Sequence, residues 1–427
     1  MSPWTLILFS GLVAQAAPTR LTLEQAALYA VEHSPRLDTF ARENNISRYT
    51  RQNVLSAFFP SLDLNTTHGI RRDIPLTNPN PWASEFSLDL TENLYDNGRN
   101  FTQYKISRLR ENQASEKFLL ERDRLCRDVA QEFLRFSQTA KNLEVQEAQA
   151  AILRKQFNLI SSGYRQGWKT QRDYLRFKAQ LSRTEIQIVS AQNAVAKAKE
   201  KLRTILGVDL GTQVDFLPVG EKVPAVNIPD QAPAITDHRE YRISVLQNQI
   251  SELEADLVHR KIWPELNLTS GAFYRSSSYL GRNTRSFSDN DRVEWNALLN
   301  LKFNLLDWGT RSRDAAIATE RSLIQENETS VRLLELREEL ANLMLDLREK
   351  KKNNELSQEL LQLENRNLAN LTEDYRQGKV AYLDYIAGLE SVSSARLSYY
   401  GSLYDLQQGI YSYLYHQGTL YEALRKK

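Results

Sequence analysis

The chain is written twice. Tyr164-Arg165-Gln166-Gly167 recurs as Tyr375-Arg376-Gln377-Gly378, an offset of 211 residues. The same offset carries Asp173-Tyr174 onto Asp384-Tyr385, and Leu94-Tyr95-Asp96-Asn97-Gly98 onto Leu305-Leu306-Asp307-Trp308-Gly309. Further upstream the offset falls to 204, where Phe59-Pro60-Ser61-Leu62-Asp63-Leu64 matches Trp263-Pro264-Glu265-Leu266-Asn267-Leu268. The second copy therefore holds seven more residues between its Pro and its Gly. A register that holds over several blocks is not chance, so the fold must be two copies of one unit. We place the first repeat at 17–210, a linker at 211–233 and the second repeat at 234–427. The linker carries four of the twelve prolines: Pro218, Pro224, Pro229 and Pro233.

Each copy reads as helix, two strands, very long helix, short turn, helix. Only 16 glycines and 12 prolines punctuate 427 residues, roughly half the usual share, which suits long uninterrupted helices. Phe118, Leu125, Val129, Phe133, Phe136, Ala140, Leu143, Ala150, Leu153, Phe157 and Ile160 recur at steps of three, four or seven. That is one stripe of coiled-coil type. In the second copy the stripe runs through Leu336, Leu340, Met344, Leu347, Leu361, Leu368 and Leu371, broken by Lys351, Asn354 and Glu364. One side of the second hairpin is therefore expected to be wetter. Asn100 to Gly163 is 64 residues, or ~96 Å of helix at ~1.5 Å per residue. An ordinary globular domain has no use for that length. The hairpins are expected at about 99–206, with a tip near 164–170, and about 309–424, with a tip near 375–381.

Between the Pro and the Gly of each copy the period switches to two. Leu62 and Leu64 alternate with Asp63 and Asn65; Phe86, Leu88 and Leu90 alternate with Ser87, Asp89 and Thr91. Val293, Trp295, Ala297, Leu299, Leu301, Phe303 and Leu305 do the same in the second copy. Strands are expected at about 61–71, 84–94, 265–275 and 293–305. One apolar and one polar face suit a membrane barrel with a wet lumen, and also a half-buried sheet under a helix. Aromatics bracket the strands at Trp82, Tyr95, Trp263, Tyr274, Trp295 and Trp308, as interfacial girdles do. Charges at Asp63, Asp89, Glu265 and Lys302 run along the polar faces. Both features favour the barrel. Four strands cannot close one, since at least ~8 are needed, and an open edge in lipid leaves backbone groups unsatisfied. Copies must combine, giving eight strands from a dimer or twelve from a trimer. Eight leave room only for side chains, so a pore favours the trimer.

The N-terminal run Trp4 to Val13, followed by Ala14-Gln15-Ala16, reads as a secretory signal peptide over residues 1–16. A buried N-terminal helix would use the same run. Lys+Arg number 55 against 53 Asp+Glu, a net charge of +2, which argues against nucleic acid as a partner. The single Cys126 excludes a disulfide framework and a thiolate metal cluster. The five histidines lack metal-ligand spacing, so no metal or cofactor is expected. No phosphate-cradling glycine loop, nucleophile elbow or Cys/His pairing is written into the chain, so no catalytic residue is assigned and no enzyme is expected.

These features together resemble the TolC family of outer-membrane factors. The resemblance rests on the opening Leu21-Thr22-Leu23-Glu24-Gln25-Ala26, the duplicated Pro-x-Leu-x-Leu strand starts, the turns at Asp96 and Asp307, and the Tyr-x-x-Gly…Asp blocks. It implies an α+β membrane protein and a homotrimer. A twelve-stranded β-barrel in the outer membrane would continue as an α-helical coiled-coil barrel across the periplasm. It also implies docking, at the far end, of a periplasmic adaptor protein and an inner-membrane pump that export drugs, other toxic molecules or unfolded proteins. Carried over by position, the adaptor-contact and tip residues are Tyr164, Arg165 and Gly167, and Tyr375, Arg376, Gly378 and Lys379. Helix-stop chemistry accounts for the glycines by itself. Asp173 and Asp384 are the expected lumen entrance ring. Thr170-x-x-Asp173 also fits a helix start, a role weaker at Asp384, where Ala381 cannot cap. The family's further acidic position is Ala387 here, and a basic position of some members is Val380. A periplasmic coiled-coil protein without a pore is the competing class.

Overall fold

A computed structural model describes residues 20–70, 82–207, 214–224, 235, 238–276 and 292–425. The signal-peptide reading at 1–16 lies outside these residues, as do parts of the linker and the side chain of Trp82. The elements run β1 (Arg20–Leu21), α1 (Leu23–His33), α2 (Pro35–Ser56), β2 (Ser61–Ile70), β3 (Trp82–Tyr95), α3 (Arg99–Arg165) and α4 (Gln171–Leu206). Then come β4 (Asp215–Phe216), α5 (Arg239–Arg260), β5 (Glu265–Ser276), β6 (Arg292–Lys302), α6 (Thr310–Arg376), α7 (Tyr382–His416) and α8 (Leu420–Arg425). Both long helices, α3 and α6, have 67 residues. The chain is mostly helical, with a four-stranded sheet and a two-stranded one.

The chain divides into two compact units. The first gathers Thr39–Phe118 and Arg239–Glu335 and contains the four-stranded sheet, in the antiparallel order β2-β3-β5-β6. Its faces follow the period of two. Leu62 and Leu64 pair with Leu90 and Leu88, Leu88 with Ala272, Ala272 with Trp295, and Leu268 with Leu299. On this face Leu62, Leu64, Leu88, Trp295, Leu299 and Leu301 are exposed in the single chain. The opposite face is a hydrogen-bonded polar lattice. Asn65 Nδ2 and Ser87 Oγ donate to Asp89 Oδ2 at 2.9 and 2.7 Å, Asn93 Nδ2 to Asn267 Oδ1 at 2.8 Å, and Asn300 Nδ2 to Thr269 Oγ1 at 2.9 Å. Expected as a strand to about 305, β6 leaves the ladder at Lys302, opposite the first residue of β5, Glu265.

The turns into α3 and α6 share one geometry. Asp96 and Asp307 each accept two backbone N–H groups, from Gly98 and Asn100 and from Gly309 and Arg311. Gly98 and Gly309 take φ of 76° and 77°, values open to glycine. Asn97 (φ 56°) and Trp308 (φ 54°) precede them.

The second unit gathers Met1–Asp38, Leu119–His238 and Leu336–Lys427. Its core holds the apolar stripe of α3, with Leu125, Val129, Phe133, Phe136 and Leu153 buried, and a cluster of α6 and α7 made by Leu340, Leu347, Leu406, Ile410 and Tyr413. Part of the expected linker is structured. β4 pairs in parallel with β1, and the segment after it is tied to the helices. Val219 N donates to Ser137 Oγ (2.9 Å), Tyr404 Oη to Val219 O (3.1 Å), and Gln407 Nε2 to Gly220 O (3.2 Å). The second hairpin does not run unbroken to 424. It stops at His416, where Gly418 (φ 68°) reverses the chain before α8. Cys126 is fully buried, and burial pushes its thiol up to about 12, as an inert core residue requires.

Candidate functional site

The tips of the two hairpins are five-residue turns built to one plan. In the first, Gly167 (φ 80°) follows α3; Gly167 N bonds Tyr164 O at 3.0 Å and Trp168 N bonds Gly163 O at 2.8 Å. In the second, Gly378 (φ 73°) follows α6, with Gly378 N to Tyr375 O at 3.1 Å and Lys379 N to Asp374 O at 2.9 Å. These are Schellman stops, which explain both glycines. They leave Tyr164, Arg165, Tyr375 and Arg376 free to do something else.

Both tyrosines pack against rings, Tyr375 half-buried and Tyr164 still exposed. Tyr164 stacks on Tyr174 at 5.2 Å, and Tyr375 stacks on Tyr385 at 5.0 Å. Phe177, fully buried on α4, meets Tyr382 of α7 with ring centroids 3.9 Å apart, so the tips of the two copies are joined through aromatic rings. Burial raises the Tyr382 and Tyr375 hydroxyls above the ordinary range, and the negative charge of Asp173 adds to both shifts. Asp173 thus stands beside the second copy's tyrosines. Its own copy also engages it: Thr170 Oγ1 accepts from Asp173 N (3.1 Å) and donates to Asp173 Oδ2 (2.8 Å). Asp384 differs. Ala381 makes no side-chain cap, and Asp384 is exposed on the first turn of α7. The basic residues are outward: among the described residues Arg165 reaches Ser161 O at 3.4 Å and Arg376 reaches Glu373 at 3.9 Å, and Lys379 is exposed.

Trp168 was not foreseen from the sequence. It occupies the position where a Schellman motif normally packs an apolar side chain against the last helical turn. That turn offers Gly163, and the space a Cβ would fill there is taken by the stem of Lys169, 3.0 Å away. The Trp168 indole is left 82% exposed. Its counterpart in the second copy is Lys379. A tryptophan directly after a helix-stopping glycine was the signal.

Among the described residues no group of His, Cys, Asp and Glu is placed to hold a metal ion, and no helix is long and apolar enough to cross a membrane.

A sequence profile described as outer membrane efflux protein matches residues 28–208 and 242–410. Nodulation protein T of Rhizobium leguminosarum bv. trifolii is 23% identical over 269 residues, 60% of this chain and 55% of that protein. The chain thus matches about half the length of that curated relative. Among solved structures, the CmeC outer membrane channel of Campylobacter jejuni superposes with a TM-score of 0.82 at 13% identity, covering 93% of this chain and 86% of that one. CusC gives 0.77 at 16% identity, covering 94% and 91%. At such identities the likeness concerns the fold.

Proposed function

Because the chain belongs to the outer membrane efflux protein family, we propose that it is the outer-membrane channel of a tripartite export system. The protein resides in the outer membrane and extends into the periplasm. In this reading it is a passive homotrimeric duct without a cofactor. It takes small toxic molecules or drugs, or secreted proteins, from an inner-membrane pump and a periplasmic adaptor. Energy enters at the pump.

One observation carries the reading: a sheet whose apolar face is bare and whose polar face is internally satisfied. Water is the wrong solvent for the first face and the right one for the second, which is the demand of a wet barrel in lipid. Three copies supply twelve strands, enough for an open bore. At the tips, Arg165, Arg376, Lys379 and the exposed Trp168 are the groups free to meet an adaptor. Gly167 and Gly378 shape the turns, and Tyr164 and Tyr375 brace them. Asp173 and Asp384 would line the entrance once copies assemble. Asp384 is the freer of the two.

Planar-bilayer recording tests the proposal. Protein extracted from outer membranes should insert as a heat-modifiable oligomer and conduct. Recovery as a soluble coiled coil without detergent, and without conductance, would establish the poreless alternative.

A further inference from the structure

The helix-side end of the four-stranded sheet is layered. On its bare face the exposed row Leu299, Leu301, Phe303 and Leu305 runs along β6 and just past it, toward the helices. At the same end stand two indoles. Trp308, shortly before α6, is 81% exposed, and Trp263, two residues before β5, is 64% exposed. The turns that carry them touch, since Arg311 Nη1 donates to Ile262 O at 3.0 Å.

Trp308 is costly where it stands. Its φ is 54°, in a region that a bulky side chain rarely enters. Its counterpart Asn97, at φ 56°, is of the residue type that tolerates this conformation. Water rewards neither the strain nor the exposure. The boundary between hydrocarbon and headgroups is where an indole is stable.

The charges of this end divide into paired and unpaired. Arg99 is held by Glu265, Arg260 by Asp256 and Arg311 by Asp307. Lys105, Lys261 and Arg313 are exposed, and among the described residues no carboxylate pairs with them. Lys105 Nζ rests over the exposed Phe101 ring, 4.6 Å from its centroid. Arg313 folds back toward Trp308, with Nη1 3.2 Å from where a Cβ on Gly309 would stand. Against these three cations this end leaves one carboxylate unpaired, Asp314. From Arg99 to Lys105 α3 rises ~9 Å, at ~1.5 Å per residue. One headgroup layer is about 5–7 Å deep, and a lysine stem reaches the rest.

We propose that this end of the sheet is a collar for anionic phospholipid headgroups. The indoles lie at the edge of the hydrocarbon, and Lys105, Lys261 and Arg313 each take the phosphate of a net-negative lipid of the phosphatidylglycerol class. The order along the molecule, from apolar row to indole to free cation, is the order of a leaflet from its interior to its surface. Lys302 lies outside the collar, because it stands on the polar face opposite Glu265. The inference deepens the duct reading and rests on it only in placing the sheet in a bilayer.

Lipid competition on the full chain tests it. The extracted oligomer is passed through nanodiscs of equal parts phosphatidylglycerol and phosphatidylethanolamine, and its retained lipid is counted by native mass spectrometry. Phosphatidylglycerol should be retained several-fold in excess, and high salt should erase the excess. Lys105→Gln, Lys261→Gln and Arg313→Gln should each lower it by about fivefold. Lys302→Gln removes the same charge from the polar face and should leave it unchanged. Equal retention of the two lipids by the parent, or an undiminished excess in the triple variant, would overturn the collar. Protein that conducts without a lipid preference overturns this inference alone, whereas protein that enters neither lipid overturns the duct reading as well.

Discussion

α3 and α6 are the same helix twice, 67 residues each, yet they live in different surroundings. Ile106 and Leu134 of α3 are 1% exposed; their counterparts Ile317 and Leu345 of α6 are 50% and 61% exposed. Leu120 and Val331, and Val145 and Leu356, repeat the contrast. The bonding partners explain it. α3 meets its own copy through Arg51–Glu111 and Arg154–Glu185. It also meets the other copy, through Gln113–Gln247 on α5 and through Gln131–Ser412 and Gln149–Ser393 on α7. Among the described residues α6 bonds to its own copy through Arg332–Glu240, His259–Thr319 and Asn354–Ser402, and near its tip Leu368 and Tyr375 pack on the cluster that holds Leu153 of α3. The elements that would cover its bare side are the equivalents of α5 and α7, namely α2 and α4 of another chain. Both have matching bare residues. Ile46 on α2 is 61% exposed, whereas its counterpart Ile250 on α5 is 2% exposed; Ile186 and Val189 on α4 are exposed as well. A surface and its complement, both bare at opposite ends of the duplication, would suit the head-to-tail contact of the proposed ring. On that proposal the interface within a chain would be the template for the interface between chains.

The largest effect should separate these two helices directly. Leu134→Asp places an unpaired carboxylate in a packed core, a cost of several kcal/mol against a total stability of about 5–15 kcal/mol, and the subunit should fail to fold. Leu345→Asp should leave helicity intact by circular dichroism while native mass measurement finds single subunits. Equal outcomes would erase the contrast.

The tips sharpen it at a smaller scale. Trp168→Ala should weaken adaptor binding by ~2 kcal/mol, about 30-fold, as for an exposed aromatic anchor. Lys379→Ala should cost under about tenfold, as a rim charge does. Titration of immobilised channel with purified adaptor measures both, and the reverse ranking would assign docking to the second tip. Asp384→Asn should lower cation preference in bilayers more than Asp173→Asn, since Thr170 already occupies Asp173.

The smallest effect concerns a clasp that only the first copy has. Lys199 Nζ, 2.8 Å from Asp215 at β4, holds that carboxyl below the ordinary range. A depressed carboxylate stabilises above its unfolded pKa of about 3.9, and that contribution is lost as pH falls through the lower folded value. Asp215→Asn should therefore cost under about 1 kcal/mol at pH 7. In thermal melts the difference from the parent should vanish in strong acid.

Much of the fold was legible because it is local. Alternating residues marked the strands, glycines after long stripes marked the tips, and the Asp-x-Gly turns marked the helix starts. The exceptions are non-local. β6 stops at Lys302 because β5 begins opposite it, at Glu265. The proline-bearing linker carries β4 because β1, nearly two hundred residues earlier, offers it an edge. At the site, the paired Tyr and Gly followed from the repeat, but the difference between Asp173 and Asp384 came from their neighbours. Trp168 is exposed through the stem of Lys169, which no periodicity encodes.

Native mass spectrometry of the detergent-extracted complex tests the central claim most directly. Closure of bare faces onto copies of the same chain predicts one species, at three times the subunit mass, that collapses to single subunits when Leu345 is made acidic. A parent protein that leaves the membrane as a stable single subunit would contradict it.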